Sequence, residues 1–196
     1  MVSLDKIQCV VMNYNAPACK ELSVWLARTG IDWRYGISNY EIDVARNQNI
    51  RKFLEDDVPR GKEYLLSIND DMVPVRETAA ILSDDGEVVY CGNVGHNGTR
   101  DHFGDGQFSS ACFRLSARLL QSMEPPWFRV GHSGDVLRRT YCDCFFFKDR
   151  LDAAGIVPRM VGIVGHAVRC ILLPDGDGYK VCYPGEFNYD KICPTP

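Results

Sequence analysis

The sequence has no long run of basic residues, no apolar stretch long enough to cross a membrane and no start typical of a signal peptide. Its formal net charge is -4 at pH 7, so a protein whose main task is to grip a nucleic-acid backbone is not indicated. The missing membrane span and signal peptide predict a soluble cytoplasmic protein.

Cysteine is abundant, with nine residues. Disulfides are rare in a reducing compartment, where free cysteines behave as small buried hydrophobes. Cys142 and Cys144 have no second pair at zinc-finger spacing, so a structural zinc site is not favoured. We therefore expect most of the thiols to be free and buried.

Short apolar runs alternate with amphipathic segments along the chain. This alternation predicts an α/β fold with a mostly parallel central sheet and flanking helices. The length of 196 residues suits a single domain over residues 1–196. Within it, residues 169–196 form a C-terminal extension, where a Pro-Asp-Gly-Asp-Gly turn predicts a β-hairpin.

Two local patterns predict where helices lie. Ser38 and Glu41 have the form of a capping box, so a helix is expected to begin there. Leu115, Leu119 and Leu120 recur at helical spacing, which predicts that the segment from Ser109 continues into a helix.

The chain is organised around the segment from Tyr64 to Pro74. The apolar run Tyr64 to Ile68 predicts a buried strand, and it ends in Asn69, Asp70 and Asp71. Ligands of open α/β sheets bind at the carboxyl edge of the strands, and oxygen ligands there suit a hard divalent cation. The alternative is a plain turn, because Asn and Asp favour turns through bonds to their own backbone.

Other candidate residues follow predicted strands or begin predicted helices. Asp143 could be a general base, or an acid favoured by the helix dipole. Arg46 could pair with a phosphate or lie on the surface, and His166 could be a ligand or a packed histidine. Trp127 and Phe128 could stack on a sugar ring or belong to the core.

The order of these pieces resembles that of GT-A-type glycosyltransferases, in particular the small family-two-like enzymes of bacteria and their viruses. The matching segments run from residue 5 to residue 168: Asp43-Val44-Ala45-Arg46-Asn47, Leu65 to Met72, Ser110 to Leu115, Pro126-Trp127-Phe128, Asp143 to Gly155 and Val164-Gly165-His166. Their order and spacing carry the resemblance more than any one motif does.

The resemblance implies a Rossmann-like GT-A domain in a bacterial or virus-infected host cell. It implies transfer of a sugar from a nucleotide-sugar donor, a UDP-sugar, to the hydroxyl of a glycan, a protein or a modified nucleobase. Inversion at the sugar carbon is expected, with Asp143 as the catalytic base. Mn²⁺ or Mg²⁺ would be held by Asn69, Asp71 and His166. Nucleotide-binding residues would be Asn13, Tyr14, Asn15, Asp43, Arg46, Asn47 and Asp70, and acceptor-binding residues would be Ser110, Trp127 and Phe128.

Two positions depart from the family pattern. Asn69 stands where the metal motif has Asp, and Cys142 stands where Glu usually precedes the base, with Asp135 as a rival for that role. These departures leave open a non-catalytic module that binds a glycan or nucleotide. A nucleotidyltransferase is a further alternative, although Asn13 to Pro17 is not the glycine-rich phosphate loop that such enzymes carry.

Overall fold

A computed structural model describes residues 2–13, 17–38, 41–94, 100–101, 104, 106–132, 139–141, 143–167, 171–175 and 178–182. The α-helices are α1 (Lys20–Thr29), α2 (Ile42–Lys52), α3 (Ala80–Ser83), α4 (Ala117–Ser122) and α5 (Asp143–Ala153). The strands are β1 (Ile7–Met12), β2 (Trp33–Tyr35), β3 (Tyr64–Asn69), β4 (Met72–Pro74), β5 (Val88–Val94), β6 (Arg100–Asp101), β7 (Cys112–Ser116), β8 (Gly131–His132), β9 (Arg139–Tyr141), β10 (Arg159–His166), β11 (Ile171–Asp175) and β12 (Gly178–Cys182).

Eight strands form one sheet in the order β2-β1-β3-β7-β5-β10-β4, with β6 paired to β5. Strands β1, β2, β3, β5 and β10 run in one direction, and β4, β6 and β7 run in the other. The expected α/β class with a mostly parallel central sheet is confirmed.

Helices cover both faces of this sheet. Successive side chains of a strand point to opposite faces, and in β1 and β3 the apolar side chains on both faces pack against helices. On one face, Val10 and Leu65 pack with residues of α2, α4 and α5. On the other face, Val11 and Leu66 pack with residues of α1 and α3. Every residue of β1 is buried, as expected of a central strand covered on both sides.

The segment after Ser109 differs from the sequence prediction. Residues Cys112–Ser116 form β7, which lies antiparallel between β3 and β5 in the middle of the sheet. The helix expected there starts only at Ala117, where the Ser116 hydroxyl accepts a hydrogen bond from the Leu119 amide. The predicted helix was wrong for Leu115, because its spacing to Leu119 and Leu120 spans the end of a strand and the start of a helix.

The start of α2 also differs. Helix α2 begins at Ile42 with Glu41 as its N-cap, and the Glu41 side chain makes no capping hydrogen bond. The Ser38 hydroxyl instead donates to the carbonyl of Asn13. The predicted capping box is therefore not formed, although the helix lies where the sequence placed it.

The C-terminal hairpin is confirmed. Strands β11 and β12 pair antiparallel, from Ile171 opposite Cys182 to Asp175 opposite Gly178. Among the described residues, no helix combines the length and the apolar character that crossing a membrane requires. Cys9, Cys91, Cys112 and Cys144 are buried and not in disulfides, as expected, and Cys19 is partly exposed.

Gly162 in β10 is a position where a side chain does not fit. A Cβ atom built there overlaps the backbone carbonyl oxygen of Glu77, in the 3₁₀ segment Arg76–Ala79 that packs on β10. We expect Gly162→Ala to lower the free energy of unfolding by about 1–3 kcal/mol, because rigid backbone must shift. Urea denaturation measures this.

Gly165→Ala in the same strand is the matched control. Its Cβ would lie 3.5 Å from the Cβ of Val73, which is ordinary van der Waals contact. Equal losses from both variants would show that strand propensity, and not the Glu77 contact, decides the effect.

Candidate functional site

Polar side chains gather at one edge of the sheet. Strands β1, β3, β5 and β10 end there, and β4 and β7 begin there. Met12 lies opposite Asn69, and the Asp70 amide donates to the Met12 carbonyl (3.0 Å). The carboxyl edge of the sheet is where open α/β folds bind ligands.

Asp71 and His166 lie next to each other at this edge. The short strand β4 pairs antiparallel with β10, which places His166 opposite Met72, and the Ala167 amide donates to the Asp71 carbonyl (2.7 Å). As a result, His166 Nε2 lies 3.7 Å from Asp71 Oδ2. Both side chains are partly exposed, at 13% and 22%.

This pair fits a divalent cation. One carboxylate oxygen and one imidazole nitrogen 3.7 Å apart can share an ion at ordinary ligand distances of about 2.0–2.2 Å. No group of three or more His, Cys, Asp or Glu side chains suited to a metal occurs among the described residues.

Asn69, the third predicted metal ligand, contacts Arg46. Its Oδ1 accepts from Arg46 Nη2 at 3.4 Å, a long hydrogen bond. The backbone amide of Asn69 donates to the Ala111 carbonyl (2.9 Å), which ties β3 to the segment before β7. The metal role of Asn69 stays a prediction, and the oxygen that would ligate is the one that meets Arg46.

Cys19 lies beside the same turn. Its amide donates to the Asp70 carbonyl (2.8 Å), and its Sγ donates to the Met72 carbonyl (3.1 Å). Burial and, to a smaller extent, the negative charges of Glu21 and Asp71 raise the pKa of this thiol. Cys19 is therefore a neutral thiol near pH 7 and braces the Asp70–Met72 backbone.

Asp143 and Arg46 form a buried ion pair. Arg46 Nε donates to Asp143 Oδ2 at 2.6 Å, and the side chains are 1% and 4% exposed. Ser110 Oγ donates to the other oxygen, Oδ1, at 3.3 Å. The residue predicted as the base thus sits at this edge with both carboxylate oxygens in hydrogen bonds.

The guanidinium of Arg46 is enclosed by aromatic rings. Its central carbon lies 5.6 Å from the ring centres of both Phe113 and Phe128. These rings belong to an aromatic cluster in which Phe128 stacks on Phe147 at 4.7 Å and Phe108 touches both. Cation–π contacts of this kind favour the charged guanidinium in a buried position.

Asp43 and Asn47, both predicted to bind a nucleotide, contact the segment that follows the Pro125-Pro126 bond. The Asn47 side chain donates to the Phe128 carbonyl (2.7 Å) and accepts from the amides of Trp127 and Phe128. Asp43 Oδ2 accepts from the Val130 amide (2.9 Å). These bonds fasten residues 127–130 to α2, so both side chains have a structural task whatever ligand they meet.

Trp127 and Phe128, predicted to bind the acceptor, lie in the core. They are 5% and 0% exposed, and the Trp127 indole donates to the Leu120 carbonyl (3.0 Å). Ser110, the other predicted acceptor residue, is partly exposed at the edge. Of the three, Ser110 is the one placed where a ligand could meet it.

The predicted nucleotide loop is described in part. Asn13 follows β1 and is partly exposed, and Asp70 is buried beside it. Tyr14 and Asn15 lie outside the described residues, as do Asp135 and Cys142.

A buried polar pair at the edge was not anticipated from the sequence. Ser109 Oγ donates to Asn93 Oδ1 at 2.9 Å, which joins the end of β5 to the segment before β7. The sequence does contain a sign of this polar position, because Asn93 follows an apolar run as Asn69 does.

Sheet order, helices on both faces and a polar carboxyl edge define the α/β fold that the sequence predicts, with a mostly parallel central sheet and flanking helices. No protein-family model matches the chain, and no curated protein matches it. Among solved structures, A197 from STIV is similar with a TM-score of 0.59 and 14% identity, over 91% of this chain and 93% of that one.

Two further solved structures have lower TM-scores. A glycosyltransferase involved in glycosylation of the major capsid of PBCV-1 gives 0.45 at 9% identity, over 82% of this chain and 92% of that one. A Drosophila beta-1,4-galactosyltransferase 7 mutant in complex with manganese, UDP-Gal and xylobiose gives 0.49 at 10% identity, over 95% and 72%. At these identities the likeness to A197 concerns the fold alone.

Proposed function

We propose that this protein is a metal-dependent glycosyltransferase that moves a sugar from a nucleoside diphosphate sugar, a UDP-sugar, to an acceptor hydroxyl with inversion. The observation that carries the proposal is that two pairs of side chains, Asp71 with His166 and Asp143 with Arg46, lie at the same edge of the sheet. Asp71 and His166 lie 3.7 Å apart, and Asp143 is held by Arg46, which also contacts Asn69 of the Asp71 turn.

Asp71 and His166 would hold Mn²⁺ or Mg²⁺. A bound ion of this kind supplies neutralisation of charge on a departing diphosphate. Asn13, which follows β1 and is partly exposed, is the described residue placed to meet the nucleotide. Tyr14, Asn15 and Asp70 stay predictions for the same role.

Asp143 would act as the general base. The acceptor O–H bond breaks as its proton passes to the Asp143 carboxylate. The acceptor oxygen forms a bond to the anomeric carbon from the opposite face, and the bond from that carbon to the phosphate oxygen breaks. The electron pair leaves with the nucleoside diphosphate, so one direct displacement inverts the sugar carbon.

The test is binding of UDP and GDP by calorimetric titration with and without Mn²⁺. We expect the wild-type chain to bind one of them more tightly with Mn²⁺, and Asp71→Ala to lose at least about tenfold of that affinity, because a carboxylate ligand of the ion is removed.

Asp85→Ala is the matched control, since Asp85 precedes β5 at the opposite end of the sheet and its side chain is 79% exposed. Unchanged Mn²⁺-dependent binding in Asp71→Ala would remove the metal site from the proposal. If the wild-type chain binds neither nucleotide, a UDP- or GDP-sugar is not its donor, and the proposed function is wrong.

A second candidate is a binding module of the same fold without turnover. The burial of Asp143, which is 3% exposed, favours it because an acceptor hydroxyl must reach that carboxylate. Metal-dependent nucleotide binding without release of UDP or GDP from any nucleotide sugar would select this candidate.

A further inference from the structure

Arg46 is buried in the protein at the edge where the ligand is proposed to bind. We infer that Arg46 is a positioning residue that holds the Asp143 carboxylate, and that it does not bind a donor phosphate. The reaction step in this inference rests on the proposed function, whereas the pairing itself does not.

The guanidinium of Arg46 is buried and its contacts are with other protein side chains. Its side chain is 1% exposed, its Nε is bonded to Asp143, and Phe113 and Phe128 lie against its guanidinium. A cavity bounded by Arg46, Met12 and Ser67, between α2 and the sheet, has a volume of about 10 Å³, which is room for about one water molecule. To bind a diphosphate through Nε, Arg46 would have to give up its buried counter-charge.

Breaking that pair is unfavourable. A carboxylate left in the protein interior without its cation is strongly destabilised, because neither water nor an opposite charge replaces the lost partner. Arginine suits this position because its planar group stays charged and can bond two groups at once. Here Nε meets Asp143 and Nη2 meets Asn69.

The position of Arg46 is itself fixed by the fold. One turn of α2 carries Asp43, Arg46 and Asn47. Asp43 and Asn47 hold residues 127–130 in place by accepting hydrogen bonds from backbone amides of that segment. That segment brings Phe128 against the guanidinium. Arg46 therefore connects α2, the end of β3 and the start of α5.

The pairing sets the orientation of the carboxylate. Oδ2 is bonded to Arg46 on the buried side, while Oδ1 meets Ser110, which is partly exposed. The acceptor hydroxyl would thus approach from the Ser110 side and give its proton to Oδ1.

The first experiment separates binding from turnover in Arg46→Met. With Mn²⁺ present, we expect UDP or GDP affinity within about twofold of wild type, and nucleoside diphosphate release from UDP-glucose, UDP-galactose or a GDP-sugar about 10- to 100-fold slower, because the base is misplaced. The KM for the donor should change little while kcat falls. Arg46→Lys, which keeps the charge, should recover part of the lost kcat.

Arg114→Met is the matched control. Arg114 is also fully buried, but it bonds backbone carbonyls of residues 82–86 at the opposite end of the sheet. Rates are measured below the unfolding transition of each variant, so that loss of folded protein does not enter. We expect Arg114→Met to keep the kcat of the wild-type chain.

The second experiment does not depend on activity. Urea denaturation of Arg46→Met, Asp143→Asn and the double variant forms a double-mutant cycle. We expect the two effects on the unfolding equilibrium constant to be coupled by about tenfold or more, because the second change removes a charge that the first left unpaired.

Two results would overturn the inference. Nucleotide affinity lowered tenfold or more in Arg46→Met but not in Arg114→Met would make Arg46 a phosphate-binding residue. Additive effects in the cycle would mean that the pair does not form in solution. If the wild-type chain binds no nucleotide, the proposed function fails, and the cycle still decides whether Arg46 holds Asp143.

Discussion

Asp143→Asn is expected to lower the rate of sugar transfer by about 10²- to 10⁴-fold, the usual contribution of a general base. The amide keeps the shape of the carboxylate but cannot take the proton of an acceptor hydroxyl. Donor binding should persist, since Asp71, His166 and Asn13 are untouched. Release of nucleoside diphosphate at saturating donor, in the presence and absence of an acceptor, measures the effect.

The same change has a consequence for stability. Asp143 is the counter-charge of a guanidinium that is 1% exposed, so Asp143→Asn leaves Arg46 buried without it. Breaking such a pair costs about 3–5 kcal/mol. The double variant with Arg46→Met should regain much of this stability without regaining activity, which separates the two roles of the carboxylate.

Asp152→Asn is the matched control on the same helix. The Asp152 carboxylate is 55% exposed and pairs with Lys148 one turn earlier, so its loss should leave transfer unchanged. Asp143→Asn with activity within twofold of wild type would place the base elsewhere, and Asp135 is then the next residue to test.

The strands that the sequence predicts best are those buried on both faces. Segments 7–12 and 64–69 are near-continuous apolar runs, and both are central strands of the sheet. Such runs are recognisable because no position needs to face water. The polar residues that follow them then lie at the carboxyl edge, which is why a ligand site could be expected there.

Strand β7 shows where sequence patterns mislead. It carries Arg114 in the middle of the sheet, and its Leu115 matches a helical spacing with the leucines of α4. The strand lies between β3 and β5 because of pairing with residues far along the chain. Local periodicity contains no information about such partners.

Part of the candidate site could likewise be predicted from the sequence, and part could not. Asp71 and His166 were expected together because the motifs resemble a family, and the β4–β10 pairing that places them together spans only three residue pairs. The bond from Arg46 to Asp143 joins residues 97 positions apart and depends on two aromatic rings from other segments. That the Arg46 side chain points into the protein, towards Asp143, can be seen only in the folded structure.

Arg114→Met is expected to lower the free energy of unfolding by about 2–3 kcal/mol, because one buried and two partly buried carbonyls lose their donor at once. Arg114 is fully buried and donates to the carbonyls of Leu82, Asp84 and Gly86, in the turn that leads into β5. Its guanidinium lies 4.5 Å from the centre of the Tyr64 ring. Methionine fills similar space but donates to none of these carbonyls.

The charge of Arg114 is part of the same balance. Burial lowers the pKa of its guanidinium, and the Tyr64 hydroxyl and the Asp84 carboxylate oppose this shift. Replacing it removes an unfavourably buried charge, but it also leaves the buried carbonyl of Leu82 without this donor. We therefore expect the loss of hydrogen bonds to exceed the relief of desolvation.

Arg118→Met is the control for this prediction. Arg118 is 83% exposed and pairs with Glu87, and exposed pairs contribute about 0–1 kcal/mol. Urea denaturation of both variants measures the difference. A loss below 1 kcal/mol in Arg114→Met would mean that the turn finds other donors, so that β5 is held by its pairing with β7 and β10 and not by Arg114.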